Sequence, residues 1–518
     1  MGAHAVMPAA RPSGRYGILS WFVPPALAGE VAREAAAERD AALAAAGEKV
    51  PRRRARLLPP WLAVYFTLAL CLLARLPYQE AMRSLAGDEF TGLGVPATTA
   101  LTAARRRLGE RPLELLFWRV AGVLLPSRDP WATAGGLLVA AWDGTTLKVP
   151  ATPENIAALG RPRHGGGRKA PAAGKNGKDG KAPPSEGHYP QMRVVALIAC
   201  GTRALLGAAI GPLADGEQKL AATLTGCLGP GMLLLADRGF WSLALWQACA
   251  ATGAHLLWRV KSDIRLPVRQ QLPDGSWLSV VNGTREAHLR NMRNANRRSR
   301  GSRLPQETGP LPGDATVRVI EFLITLTCED GTTRTERYRA VTTLLDWRRH
   351  PAADLAAGYA RRWGIESAYR EAKSYLAGGR VLRSRTPGLA RQETWALLIT
   401  YQAVRALICH AAAGTGTDPA RLSFTTALHA ARRTLGRGPA AIQAATDEIL
   451  ASPLPGRPPR TCARAHAEPQ RAYPSRKGKP QPLPRRIYCT ITVTTPDTTT
   501  RQPRHQHKPA TNQAAASP

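Results

Sequence analysis

The stretch that decides the reading is Tyr359-Ala360-Arg361-Arg362-Trp363-Gly364-Ile365-Glu366-Ser367-Ala368-Tyr369-Arg370-Glu371-Ala372-Lys373. It predicts part of one long helix running from Ala352 to Leu376. Tyr359, Arg362, Glu366 and Lys373 fall at offsets 0, 3, 7 and 14. At about 3.6 residues per turn, these side chains lie along one stripe. One acid, two bases and a phenol make a poor core face. They suit a surface that holds a metal ion against a phosphodiester. Glu371 competes with Glu366, but it lies about 140° further around the helix, so only one of the two acids shares the face of Arg362 and Lys373. The plain structural role for Glu366 is a surface ion pair with Arg362 or Arg370, four residues away on either side.

Charge points to the partner. The 518 residues hold 71 Lys plus Arg against 37 Asp plus Glu, a formal charge of +34. Such an excess predicts a polyanion, DNA or RNA, with binding that weakens steeply as salt rises. A membrane is not expected. The longest apolar stretch, Trp61–Ala74, is 14 residues, short of the roughly 20 that span a bilayer, and reads as a buried core helix. No apolar signal region opens the chain, so a cytoplasmic, nucleoid-associated protein is expected. The eight cysteines form no C-x-x-C pair and read as buried thiols.

The texture changes several times along the chain. Residues 1–16 read as disordered. Residues 17–128 read as all-helical and as a DNA-binding domain, in which Thr98 or Thr99 caps a short helix carrying Arg105, Arg106 and Arg107 at its far end. Three consecutive arginines also suit a solvated face. Residues 129–260 follow the order strand, strand, strand, helix, strand, helix, strand. The first strand, Gly136–Trp142, ends in Asp143-Gly144; the fourth, Met232–Ala236, runs into Asp237. Between the first two strands, residues 160–188 carry seven bases and two acids among glycines and read as a loop. Residues 261–346 read as a polar, β-rich insertion that includes an Arg/Asn segment at 285–303. Helices resume over 347–450, Glu393–Ala412 among them. Residues 451–518 have twelve bases and two acids beyond Pro453 and read as mostly disordered, with one candidate strand at Ile487–Val493.

Three carboxylates carry candidate chemistry. An oxygen that attacks a phosphodiester meets negative charge, and an alkoxide must leave. Two divalent ions meet both needs, and hard ions such as Mg²⁺ take carboxylate oxygens. Asp143 and Asp237 sit at strand ends and Glu366 on the helix stripe. Each has a plainer role: Asp143-Gly144 as a turn, Asp237 as the cap of the helix that follows.

The spacing Y-x2-R-x3-E-x6-K, together with the string Ala236-Asp237-Arg238-Gly239-Phe240, resembles the insertion-sequence-4 family of DDE transposases. The resemblance covers most of residues 17–450. It implies an α/β fold: a ribonuclease H-like catalytic domain, interrupted by the β-rich insertion and preceded by the all-helical DNA-binding domain. It implies Asp143, Asp237 and Glu366 as catalytic metal ligands for two Mg²⁺, with Mn²⁺ as a substitute. It further implies DNA contacts by Tyr359, Arg362 and Lys373, with Arg238, Arg105, Arg106 and Arg107 as added candidates. Tyr338 is the nearest match for an aromatic stacking on a flipped base, with Trp277 and Trp347 as rivals. The implied activity is cut-and-paste transposition on double-stranded DNA, both transposon ends and target, by a homodimer without a small-molecule substrate. A nuclease of the same fold and an inactive DNA-binding derivative are the alternatives.

Overall fold

The computed structural model describes residues 16–50, 58–86, 94–124, 131–162, 188–281, 313–328, 331–454 and 486–495, with a few positions between 283 and 296. The expectations for residues 1–15, for most of the Gly/Lys loop, for most of the Arg/Asn segment and for most of the basic tail fall outside these residues.

Among the described residues, eleven strands form one sheet: β1 (Thr133–Ala134), β2 (Leu137–Lys148), β3 (Gln191–Ala199), β4 (Ala204–Pro212), β5 (Met232–Ala236), β6 (His255–Arg259), β7 (Gln270–Gln271), β8 (Trp277–Val281), β9 (Ala315–Cys328), β10 (Thr333–Thr342) and β11 (Arg486–Thr494). The spatial order is β4-β3-β2-β5-β6-β10-β9-β8-β7, with β1 on β2 and β11 on β9. β2, β3 and β4 pair antiparallel, whereas β2, β5 and β6 run parallel. The strands of residues 261–346 extend this same sheet, because β10 pairs antiparallel with β6.

Strand alternation sorts the core into two layers. Val139, Ala141, Leu233 and Leu235 face a cluster that holds Tyr359, Ile365 and Ala368 of the helix bearing Glu366. Ala140, Trp142, Leu234 and Ala236 face the other side, against Phe240, Leu243 and Trp246. Helices therefore cover both faces of the central strands.

The N-terminal helices Ile18–Phe22, Pro25–Ala45, Pro60–Leu72, Tyr78–Ala86, Thr98–Leu108 and Arg111–Val120 join the first cluster. So does Pro387–Ala413, which by length and apolar composition is able to cross a membrane. That corrects the expectation that no run reaches such a length. Its most apolar window is 83% buried inside the protein, which makes it a core helix here. Thr98 and Thr99 are not caps: the helix starts at Thr98, and Ala97 precedes it without a side-chain cap.

Candidate active site

Asp143 does not end its strand. β2 runs on to Lys148, and Asp143 lies opposite Ala196 of β3, which removes the turn reading. What stops is the pairing with β5, whose last register pair is Ala141 with Leu235. Asp143 and Asp237 each stand two residues beyond that pair. Two residues restore the same strand face, so both aspartates emerge on the side covered by the Glu366 helix. The place is the carboxyl end of neighbouring parallel strands, where open α/β sheets leave a crevice. Asp237 is not a helix cap either; Ser242 caps the following helix, accepting from the Leu245 N–H at 3.3 Å.

The helix over this crevice is continuous but not uniform. It is α-helical at Ala352–Tyr359, tightens to a 3₁₀ turn at Ala360–Arg362, is α-helical at Trp363–Arg370 and widens to a π turn at Glu371–Leu376. Its stripe faces the strands. Tyr359 is buried and donates its hydroxyl to the Ala236 carbonyl at 3.1 Å. Arg362 donates Nη2 to Glu366 Oε1 at 3.2 Å. Tyr369 donates its hydroxyl to the Asp143 carbonyl at 2.5 Å and accepts the Ala196 N–H at 3.0 Å. Lys373 donates to Thr145 Oγ1 at 2.9 Å.

The two last ties explain the alignment. Tyr369 to Lys373 is four helix residues, about 6 Å; Asp143 to Thr145 is two strand residues, about 7 Å. The repeats match, so the helix runs alongside β2 and meets it twice.

Arg362 is the electrostatic centre. Burial alone would lower its pKa, but Tyr359, Asp237, Asp143 and Glu366 together raise it above the ordinary guanidinium value. The three sequence-predicted carboxylates thus all act electrostatically on one buried cation, and Glu366 touches it. Among the described residues, its Nε has no hydrogen-bond partner. Asp143 is pushed up to about 6, chiefly by burial, opposed by Arg362 and the Gly144 N–H and reinforced by Glu217 and Glu366. The Gly144 N–H reaches Asp143 Oδ1 at 2.8 Å.

Glu217 has no motif to announce it. Its carboxylate packs so tightly on Gly144 that a Cβ there would stand 2.3 Å from Oε1. Arg193 holds the same oxygen at 3.0 Å. The neighbouring Gln218 donates to the carbonyls of Gly239 and Trp241 at 2.9 and 3.2 Å, bracing the loop after Asp237. Tyr369, by contrast, had a signal: at offset 10 from Tyr359 it belongs to the same helical stripe.

Other expectations need correction. Arg105 is buried at 2% exposure. It donates to Gln392 Oε1 at 3.1 Å, to Tyr78 Oη at 2.5 Å and to Ser384 Oγ at 3.2 Å, so it pins the N-terminal helices to the core and does not face solvent. Arg106, Arg107 and Arg238 are exposed. Tyr359 is a strut between helix and sheet, with its hydroxyl turned inward, and not a phosphate contact. Tyr338 offers no ring face to a base: Phe322 stacks on it at 5.5 Å and the Arg259 guanidinium lies 3.9 Å from its centroid. Trp277 is buried. Trp347 is partly exposed, with Arg348 4.8 Å from its ring. Glu371 is buried against Arg203 at 2.5 Å, the Tyr401 hydroxyl at 3.1 Å and Arg405 at 3.8 Å; it is a core ion pair on the opposite side of the helix from Glu366.

A family model described as "Transposase DDE domain" matches residues 134–403. The chain belongs to the DDE transposase family. A second model, for the insertion element 4 transposase N-terminal region, matches residues 29–118 and makes this DDE transposase family member one of the insertion-sequence-4 type. Transposase InsG for insertion sequence element IS4 of Escherichia coli (strain K12) is 29% identical over 334 residues, 64% of this chain and 65% of that protein. Putative transposase InsZ of the same organism is 29% identical over 187 residues, 35% of this chain and 56% of that protein. The alignments therefore span less than two thirds of the length of these relatives. A cryo-EM structure of the piggyBac transposase synaptic complex with hairpin DNA aligns over 88% of this chain and 90% of that one, at 11% identity and a TM-score of 0.39.

Among the described residues, no three acidic, histidine or cysteine side chains are drawn close enough to hold one ion. The donor set still suits a hard divalent cation. Asp143, Asp237 and Glu366 are all carboxylates, the donor type a hard divalent ion takes, and burial disfavours the charged form of Asp143, which a bound cation would offset.

Proposed function

We propose that this chain is a DNA transposase that binds the terminal inverted repeats of an insertion sequence and moves the element by cut-and-paste. The observation that carries the reading is the place of Asp143 and Asp237, two residues beyond the last β2–β5 pair, under the helix on which Glu366 pairs with Arg362. The strand order β4-β3-β2-β5-β6, three antiparallel strands and then a parallel pair, supports a ribonuclease H-like core. The domains we propose are the helical DNA-binding part at 17–128, the core at 129–260 and 347–450, and the β-rich insertion at 261–346.

Dependence on a divalent metal is general to the family, and we assign two Mg²⁺, with Mn²⁺ able to substitute. Held by Asp143, Asp237 and Glu366, such ions would activate the attacking oxygen and steady the leaving one. The chain's own residues do the rest. Arg362 leaves Glu366 and offers its fork to a phosphate. Lys373 reaches the backbone beside Thr145 as a point charge. Arg238, Arg106 and Arg107 add exposed positive charge for the duplex, and Trp347 is the aromatic with ring surface to stack on a base. Tyr359, Gly144 and the Gln218 contacts hold the strand ends that carry the aspartates. The partners are double-stranded DNA, at transposon ends and target, and a second copy of the chain pairing two ends. The protein acts in the cytoplasm, on the nucleoid.

The test uses the purified chain, Mg²⁺ and DNA carrying the inverted repeats that flank its coding region. Double-strand excision followed by joining of the freed 3′ ends to a target plasmid is expected. Cleavage with no joining at any target concentration would establish the nuclease alternative instead.

A further inference from the structure

We propose that Tyr369 is a positioning residue of this reaction: its hydroxyl, set between the main chains of β2 and β3 at the level of Asp143, fixes the height of the Glu366 helix over the strand that carries Asp143. The inference rests on the transposase reading above.

The geometry is specific. Asp143 and Ala196 face each other in register across β2 and β3. The Tyr369 hydroxyl donates to the carbonyl of the first at 2.5 Å and accepts the N–H of the second at 3.0 Å. A side chain from a helix thus enters the ladder at the very pair that contains a proposed metal ligand. Both capacities of the phenol are used. The hydroxyl is thus committed to main-chain partners inside the sheet.

What it does is mechanical. Glu366 stands one helical turn before Tyr369, on the same stripe. The Gly144 N–H holds the Asp143 carboxylate, while Tyr369 holds the Asp143 carbonyl, so the aspartate is gripped at both ends and one grip comes from the Glu366 helix. Without the hydroxyl, the ring still packs, but the helix is free to slide along β2 by a fraction of an ångström. Metal sites depend on such second-layer contacts, and losing one typically costs about 10–100-fold in affinity or activity.

The experiment compares wild type, Tyr369→Phe and Tyr65→Phe. Tyr65 is a remote control, a buried tyrosine whose hydroxyl bonds the Val23 carbonyl at 2.5 Å. Three quantities are read: Mn²⁺ affinity of the DNA-free protein by electron paramagnetic resonance, affinity for end DNA without metal, and single-turnover end cleavage against Mg²⁺ concentration. Tyr369→Phe is expected to melt within a few degrees (about 2–5 °C) of wild type and to bind ends normally. Its Mn²⁺ affinity should weaken roughly tenfold and its cleavage at saturating Mg²⁺ roughly 10–100-fold. Tyr65→Phe should change melting alone. Should Tyr369→Phe prove less stable, Mn²⁺ affinity and cleavage are read well below its melting temperature, where the folded protein should still show the weakened metal affinity. Wild-type values for Tyr369→Phe, or losses matched by Tyr65→Phe, overturn the positioning role while leaving the transposase reading intact. A wild type that binds no Mn²⁺ and cuts nothing overturns both.

Discussion

Arg362 and Glu366 form an ion pair at 3.2 Å, one helical turn apart, with the Arg362 side chain only 10% exposed. On a solvated helix such a pair contributes little. Here it is the visible arm of a larger arrangement, because the same guanidinium also feels Asp143 and Asp237. It is a buried positive charge set beside three partly exposed carboxylates.

Removing that counter-charge should therefore matter most when metal is absent. Arg362→Gln is expected to lower metal-free stability by about 3 kcal/mol, the scale for breaking a buried pair. Mg²⁺ should raise the melting temperature of Arg362→Gln more than it raises that of wild type. Melting curves with and without Mg²⁺ check this, and an equal loss in both conditions would show that Arg362 is merely a packing residue.

A pH dependence follows from Asp143, whose carboxyl is pushed up to about 6 in the folded chain from an ordinary 3.8. Between these values the folded state holds a proton that the unfolded state has released. This group's contribution to stability is thus fully present below about pH 4 and is lost as pH rises through about 6, on the order of 3 kcal/mol in all. Asp143→Asn has no such proton to lose. Its metal-free stability relative to wild type should improve from pH 4 to pH 7, read by chemical denaturation at each pH.

The three carboxylates should behave as one unit in catalysis. Asp143→Asn, Asp237→Asn and Glu366→Gln are each expected to bind end DNA specifically and to lose Mg²⁺-dependent cleavage by orders of magnitude, and a double variant should be hardly worse than a single one. Glu371→Gln should fail differently. Its carboxylate pairs with Arg203 and Arg405 and accepts from Tyr401, so the loss falls on stability, about 3–5 kcal/mol. The surviving folded fraction should cut at a normal rate. Side-by-side melting and cleavage assays separate the two patterns; a stable but inactive Glu371→Gln would place the third acid on the wrong helix face.

How much of this was legible in the sequence depends on range. The helix stripe and the apolar runs leading to Asp143 and Asp237 follow from local periodicity, and their meeting follows from strand parity. Periodicity also held the place of Tyr369, though nothing local says its hydroxyl enters a ladder. Arg105 misled because three adjacent arginines look alike in sequence, whereas tertiary packing buries only the one that faces Gln392. Tyr338 misled because both of its ring faces are covered by residues distant in sequence or paired across strands, Arg259 and Phe322. Glu217 was illegible: it starts a short helix with no motif, and only the approach to Gly144 brings it to the site.

The basic tail supplies the last prediction, and the structure changes its sign. Composition alone expects removal of residues 454–518 to leave the fold untouched. Yet β11 pairs with β9 from Cys328 to Glu321, placing Ile491 opposite Ile324 and Val493 opposite Phe322. Ile491 and Val493 pack against the first core cluster, and β8 covers β9 only from Ala315 to Val319. Truncation at Leu454 would leave the rest of that edge bare, an invitation to strand pairing between molecules. The truncated chain should lose roughly 2 kcal/mol and aggregate more readily. It should also bind DNA more weakly, with a shallower salt dependence, because tail cations no longer displace counterions. A chain ending at Thr495 keeps β11 and separates the effects: it should melt like the full-length protein. If the chain ending at Thr495 melts as low as the one cut at Leu454, the stability gain does not come from β11.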